Sequence, residues 1–211
     1  MSQALEQTDV VAIVRLDDYS SAVEMVKALA EGGIVATEFT YTNPAAGEAI
    51  AAVKAACGDA VLVGAGTVLD PETARAAILQ GADFLVTPVV NVATIELARR
   101  YSVPSVIGAF TPTEILTAWQ AGATFVKVFP ASAVGPAYLK DVRGPLPQVR
   151  LIPTGGVNLQ NAGDFIRAGA AAIAVGSNLV DAKTVHARDW ATLTERARAF
   201  VSAVQAARTS S

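Results

Sequence analysis

The chain has 211 residues, 52% hydrophobic and 17% charged, with a net charge of −3. That balance describes a large-cored globular protein, excludes a disordered chain and lacks the positive field of a nucleic-acid binder. One histidine and one cysteine argue against a catalytic zinc site and exclude a disulfide framework, and no apolar run is long enough for a membrane span.

Taken in chain order, Gln3–Gln7 reads as a short helix, and MSQALEQTDV carries no signal-peptide pattern. VVAIVR (10–15) is the first strand-like run. In the following SSAVEMVKALAEGG, Val23, Val26, Leu29 and Ala30 form an apolar helical stripe that stops at Gly32-Gly33. Then come IVATEFT (34–40), VLVGAG (61–66), a helix opened by Asp70-Pro71 and stopped at Gly81, and DFLVTP (83–88). PSVIGA (104–109) precedes a helix from Thr111-Pro112 to Gly122. FVKVFP (125–130) is followed by a looser segment with a short helix at 136–142. VRLIPTGG (149–156), a helix from Asn158 to Gly169, and AAIAVG (171–176) complete the pattern.

Nearly continuous apolar strands, covered on both faces and alternating with helices, predict a parallel sheet. Eight of them without a linker predict a single-domain (β/α)8 barrel over residues 1–211, with the N-terminal helix closing its floor. A doubly wound open sheet is the second choice, since it uses fewer strands at this length. His186 and Cys57 read as ordinary surface or helix-end residues.

In such a barrel chemistry gathers at the C-terminal ends of the strands. The polar residues there are Arg15, Glu38, Thr40, Thr67, Thr87, Lys127, Thr154 and Ser177. Period-two alternation puts Phe125, Lys127 and Phe129 on one face and Val126 and Val128 on the other. With the valines against the helices, Lys127 points into the barrel. A desolvated lysine loses charge and becomes a nucleophile able to form a Schiff base; the alternatives are a snorkelling lysine or an ion pair with Glu38. Glu38 reads as a proton shuttle or as that lysine's charge partner. IPTGGVN (152–158) and VGSN (175–178) each put glycine at a strand–helix junction, where backbone N–H groups hold phosphate or carboxylate, although glycine turns also serve packing.

In order, AIVR, TEFT, GAGTV, LVTP, FVKVFPAS, PTGGV and VGSNL resemble the family of 2-keto-3-deoxy-6-phosphogluconate aldolases and 4-hydroxy-2-oxoglutarate aldolases, from about residue 9 to 180. The resemblance implies a metal-independent class I aldolase, a carbon–carbon lyase with no cofactor, acting as a cytoplasmic homotrimer. It implies Lys127 as the Schiff-base lysine and Glu38 as the proton shuttle. Thr67 and the backbone near Pro88 would hold the pyruvyl carboxylate, and Phe129 would pack beside the imine. Arg15, Gly155, Gly156, Gly176 and Ser177 would take the distal phosphate or hydroxylated tail, and Thr154 counts among the substrate-binding residues. The phosphogluconate type carries an arginine in a T-L-R-T run after the glutamate strand. Here the run is TYTN, with Thr42 at that position, and TNP (42–44) is more similar to the 6-phosphogalactonate type.

The expected reaction cleaves a 2-keto-3-deoxy-6-phospho sugar acid, or 4-hydroxy-2-oxoglutarate, to pyruvate and an aldehyde such as glyceraldehyde 3-phosphate. Competing readings are a phosphosugar isomerase or epimerase using Glu38 and Lys127 as an acid–base pair, and a non-catalytic binder of phosphorylated metabolites.

Overall fold

Strands that are apolar on both faces need cover on both, and this chain supplies it with two separate cores. A computed structural model describes residues 2–209. Its strands are β1 (Val10–Val14), β2 (Ala36–Thr40), β3 (Leu62–Gly66), β4 (Phe84–Val86), β5 (Ser105–Ala109), β6 (Phe125–Val128), β7 (Leu151–Pro153) and β8 (Ile173–Val175). All pair in parallel with their sequence neighbours, and β1 also pairs with β8. Thr154 bridges Ala174, and the Ala171 N–H donates to the Leu151 carbonyl at 2.8 Å, so the sheet closes on itself. The predicted (β/α)8 barrel is the observed fold.

The helices are α1 (Ser2–Glu6), α2 (Ala22–Glu31), α3 (Ala46–Cys57), α4 (Pro71–Leu79), α5 (Val92–Arg100), α6 (Pro112–Ala121), α7 (Gly135–Arg143), α8 (Ala162–Arg167), α9 (Ala182–His186) and α10 (Trp190–Thr209). The start signals act as expected. Asp70 accepts a hydrogen bond from the Thr73 N–H, and Thr111 and Glu114 form a reciprocal capping box, each satisfying N–H groups that the first helical turn leaves unpaired. One start is misplaced by the sequence pattern: α8 begins at Ala162, not at Asn158. The Asn158 side chain instead accepts from the Gln160 and Asn161 N–H groups and holds a separate turn. The motif reading does not single out α3, α5, α9 or α10. Of these, α3 opens without any side-chain cap, which leaves no local start signal. The closing helix α10 packs on α2, where the Thr194 hydroxyl donates to the Ala28 carbonyl at 2.9 Å. No helix among the described residues is long and apolar enough to cross a membrane.

Alternation along each strand then sorts the side chains. Val10, Ala12 and Val14 join the outer core beneath the helices, as do Val126 and Val128. Val11, Ile13, Phe84, Val106 and Phe125 fill the barrel interior, and Leu5 of α1 plugs it from below. This is the predicted division of β6. It leaves Lys127, flanked by Phe125 below, on the inward face above the packed layers.

Candidate active site

Lys127 and Glu38 lie inside the barrel mouth, 6% and 2% exposed. Few ionisable side chains tolerate such burial without a partner. Among the described residues neither a hydrogen bond nor an ion pair joins them. Burial pushes the Lys127 amine below its ordinary pKa; the nearby Glu38 charge opposes this and the Arg15 guanidinium adds to it. Burial pushes Glu38 above the usual carboxylate range, against the pull of Lys127 and Arg15. The arrangement therefore favours a neutral amine beside a carboxyl group whose ionisation depends on those two cations.

Glycines make room for both groups. Gly108 pairs with Lys127 across β5 and β6, and a Cβ on it would sit 2.2 Å from the Pro88 carbonyl carbon. The chain after β4 thus crosses over β5 next to the lysine, which brings the Pro88 backbone to the site. Thr87 secures this crossing: its hydroxyl donates to the Val89 carbonyl at 2.7 Å and accepts from the Gly108 N–H at 3.1 Å. Thr67 lies on the loop after β3, pinned by the Val68 N–H donating to the Val86 carbonyl at 3.0 Å.

The phosphate-side candidates come together in one cavity of about 250 Å³. Arg15, Phe129, Thr154, Gly155, Gly156, Gly176 and Ser177 all line it. Lys127, Glu38, Thr67 and Pro88 do not; they occupy the other half of the mouth. Phe129 links the halves. Its ring lies 5.1 Å from the Lys127 Nζ, and its edge would lie 3.4 Å from a Cβ on Gly155. Gly155 and Gly156 have φ of 89° and 77°, so the backbone turns in a left-handed conformation that side chains resist. The Thr154 hydroxyl is buried, with no hydrogen-bond partner among the described residues.

Sequence reasoning missed how the two glycine loops are joined. The Asn178 Nδ2 donates to the Val157 carbonyl at 2.8 Å, and both residues line the cavity. Asn178 stands inside the quoted VGSN run, so its type was visible, but its partner 21 positions away was not. Beyond Arg15 the mouth continues into an open depression of about 520 Å³, lined also by Thr42, Asn43 and Pro44. Thr42 shares a 2.9 Å hydroxyl contact with buried Thr40, which in turn lies 3.3 Å from the Tyr19 hydroxyl. His186 ends α9 on the surface and half-buried Cys57 ends α3, both as expected.

Over residues 1–196 the chain matches the aldolase family described as KDPG and KHG aldolase. It is 37% identical over 193 residues to the 2-dehydro-3-deoxy-phosphogluconate aldolase of Treponema pallidum, covering 91% of each chain. It is also 37% identical over 170 residues to the 2-dehydro-3-deoxy-6-phosphogalactonate aldolase of Escherichia coli, covering 80% of this chain and 83% of that one. Among solved structures, the KDPG aldolase of Legionella pneumophila, with pyruvate captured as a covalent carbinolamine, superposes with a TM-score of 0.88. That match has 27% identity and covers 94% of this chain and 97% of the other.

Proposed function

The chain belongs to the KDPG and KHG aldolase family, and on that premise we propose that its barrel is a class I aldolase releasing pyruvate from a 2-keto-3-deoxy-6-phospho sugar acid or from 4-hydroxy-2-oxoglutarate. The observation that carries this reading is a buried lysine, depressed in pKa and with no direct ion pair among the described residues, beside a buried carboxyl group.

Lys127 in its neutral form adds to the C2 ketone, and loss of water from the carbinolamine leaves an iminium. The C4 hydroxyl then gives its proton to the Glu38 carboxylate as the C3–C4 bonding pair moves into the iminium. This leaves an enamine and frees the aldehyde. Glu38 returns the proton to C3, and water hydrolyses the new imine to pyruvate and Lys127. The iminium is itself a cation beside Glu38, which keeps the carboxylate ionised when it must accept a proton. Thr67 and the Pro88 backbone hold the pyruvyl carboxylate, with Phe129 packed against the imine. At the far end Arg15, Gly155, Gly156, Gly176 and Ser177 take the phosphate. The unpartnered Thr154 hydroxyl is free to accept or donate to a substrate oxygen.

Thr42 in place of an arginine, together with TNP (42–44), favours the 6-phosphogalactonate substrate among these. The Escherichia coli relative named for that substrate has the same 37% identity as the phosphogluconate relative of Treponema pallidum, over 170 aligned residues against 193. We also take the whole chain as one domain working as a cytoplasmic homotrimer. Exposed Leu69 and Val89 on the loops after β3 and β4, with Val92 at the start of α5 and the Asn91 side chain donating to the Leu69 carbonyl, offer apolar surface for self-association. Sedimentation would read three protomers.

Borohydride reduction with pyruvate is the direct test. A mass increase on Lys127 with irreversible loss of activity is the expected result. No adduct at saturating pyruvate would leave the isomerase or binder reading standing. Side-by-side assay of the gluconate, galactonate and unphosphorylated substrates fixes the preference.

A further inference from the structure

Gly66 ends β3, in register with Thr40, while Glu38 faces Gly64 on the same pair of strands. Gly66 is not among the glycines with left-handed φ, so any residue could adopt its backbone, and conformational freedom does not explain it. Space does. A Cβ on Gly66 would lie 1.9 Å from the Glu38 Oε1, 2.6 Å from its Cδ and 3.1 Å from its Cγ. No hydrogen bond among the described residues holds that carboxylate; the walls of its slot do, with Lys127 and Arg15 acting on it through charge alone.

We propose that Gly66 is a positioning residue for the reaction, its missing side chain forming the slot in which the Glu38 carboxylate lies. The proposal deepens the aldolase reading and rests on its assignment of Glu38 as the proton carrier. The neighbouring glycines are different. A side chain at Gly108 would meet the Pro88 carbonyl, fixed backbone that cannot step aside, and one at Gly64 would meet the buried Phe84 ring at 2.2 Å. At Gly66 the obstacle is the free end of a flexible side chain. Below it Phe84 already fills the space over Gly64. A methyl group at position 66 therefore drives the carboxylate upward, towards water, and leaves the barrel folded.

The test is Gly66→Ala with three readouts. Borohydride should still trap pyruvate on Lys127 to the wild-type extent. Exchange of the pyruvate methyl protons with deuterium, which needs the carboxylate at C3, should fall about 100-fold, the scale of one general base. The Glu38 carboxyl titration, followed by carbon NMR with labelled glutamate, should move down towards the ordinary value of 4.5 as the group enters water. Glu38→Asp shortens the side chain by one methylene; it should slow exchange in the wild type but restore about tenfold in the Gly66→Ala background, a coupling that a merely structural glycine would not give. Wild-type exchange with an unmoved titration in Gly66→Ala would overturn the proposal, as would a variant that fails to fold or shows no rescue. Absence of any pyruvate adduct on the wild-type protein would instead sink the aldolase reading, because the titration reports the slot in either case.

Discussion

The floor and the mouth of this barrel hold the same three kinds of side chain in opposite states. At the floor, Arg150 pairs with Glu6 at 2.9 Å and lies over the rings of Phe125 and Trp119, at 4.9 and 5.7 Å. At the mouth, Lys127 lies 5.1 Å from the Phe129 ring, with Glu38 near enough to influence its charge but not bonded to it. The β6 segment supplies a ring to each end, Phe125 below Lys127 and Phe129 just past the end of the strand, while Trp119 comes from α6. The floor pair is 37% and 35% exposed, so each charge keeps water and the pair is worth little, about 0–1 kcal/mol. The mouth pair has lost its water without gaining direct contact. A cation, a carboxylate and a ring thus make a cap when solvated and a reactive pair when dry, because burial lowers the pKa of the amine and favours its neutral form.

Four changes would break or sharpen that contrast, beginning with the largest. Lys127→Met should abolish pyruvate trapping and lower cleavage at least about 10⁴-fold, as loss of a covalent nucleophile does, with an unchanged circular-dichroism spectrum. Its effect on stability tests desolvation separately. Between the depressed folded value and the ordinary 10.5, the unfolded chain keeps a proton that the folded chain has lost. Wild-type stability therefore rises with pH across that window, and the penalty is fully present below the folded value. Urea midpoints measured over a pH series should lose that rise in Lys127→Met; an unchanged slope would mean that Lys127 is solvated.

Glu38→Gln comes next, with about a 10²–10⁴-fold loss of methyl-proton exchange and retained borohydride trapping. Here the sign reverses. From the ordinary 4.5 up to the raised folded value the folded chain binds the extra proton, so wild-type stability falls as pH rises through that window. The glutamine variant should lack the fall and be the more stable protein above it. Arg15→Ala should raise KM for the phosphorylated substrate about tenfold to a hundredfold, the scale of a charge-assisted hydrogen bond. Steady-state assays should register a much smaller change for 4-hydroxy-2-oxoglutarate. Smallest of all, Glu6→Ala at the floor should leave kcat and KM unchanged and change the unfolding free energy, read from urea titrations, by about 0–1 kcal/mol; a large activity loss would erase the distinction between the two ends.

Much of this was legible because periodicity is local. Apolar runs bounded by Asp70-Pro71, Thr111-Pro112 and glycine junctions mark strands and helices, and the alternation of FVKVFP by itself aims Lys127 inward. The errors were local as well. Asn158 has the chemistry of a helix cap, yet it caps a turn, and α3 starts with no cap to read. The glycine-loop motifs singled out Gly155, Gly156, Gly176 and Ser177, which line one cavity, but nothing near Asn178 in sequence pointed to Val157 as its partner.

The sequence by itself determined which residues are strand, which face each side chain takes and which residue types stand at the strand ends, since each of these depends on a few bonds of neighbouring backbone. Distances between strands belong to the tertiary structure alone. Register across β2 and β3 puts the Glu38 carboxylate in the space that Gly66 leaves, register across β5 and β6 sets Gly108 beside Lys127, and the Thr154–Ala174 bridge closes the ring that brings Arg15 to the glycine loops. A one-residue slip in any of those pairings would turn the same inward side chains outward, and only the closed barrel fixes them all at once.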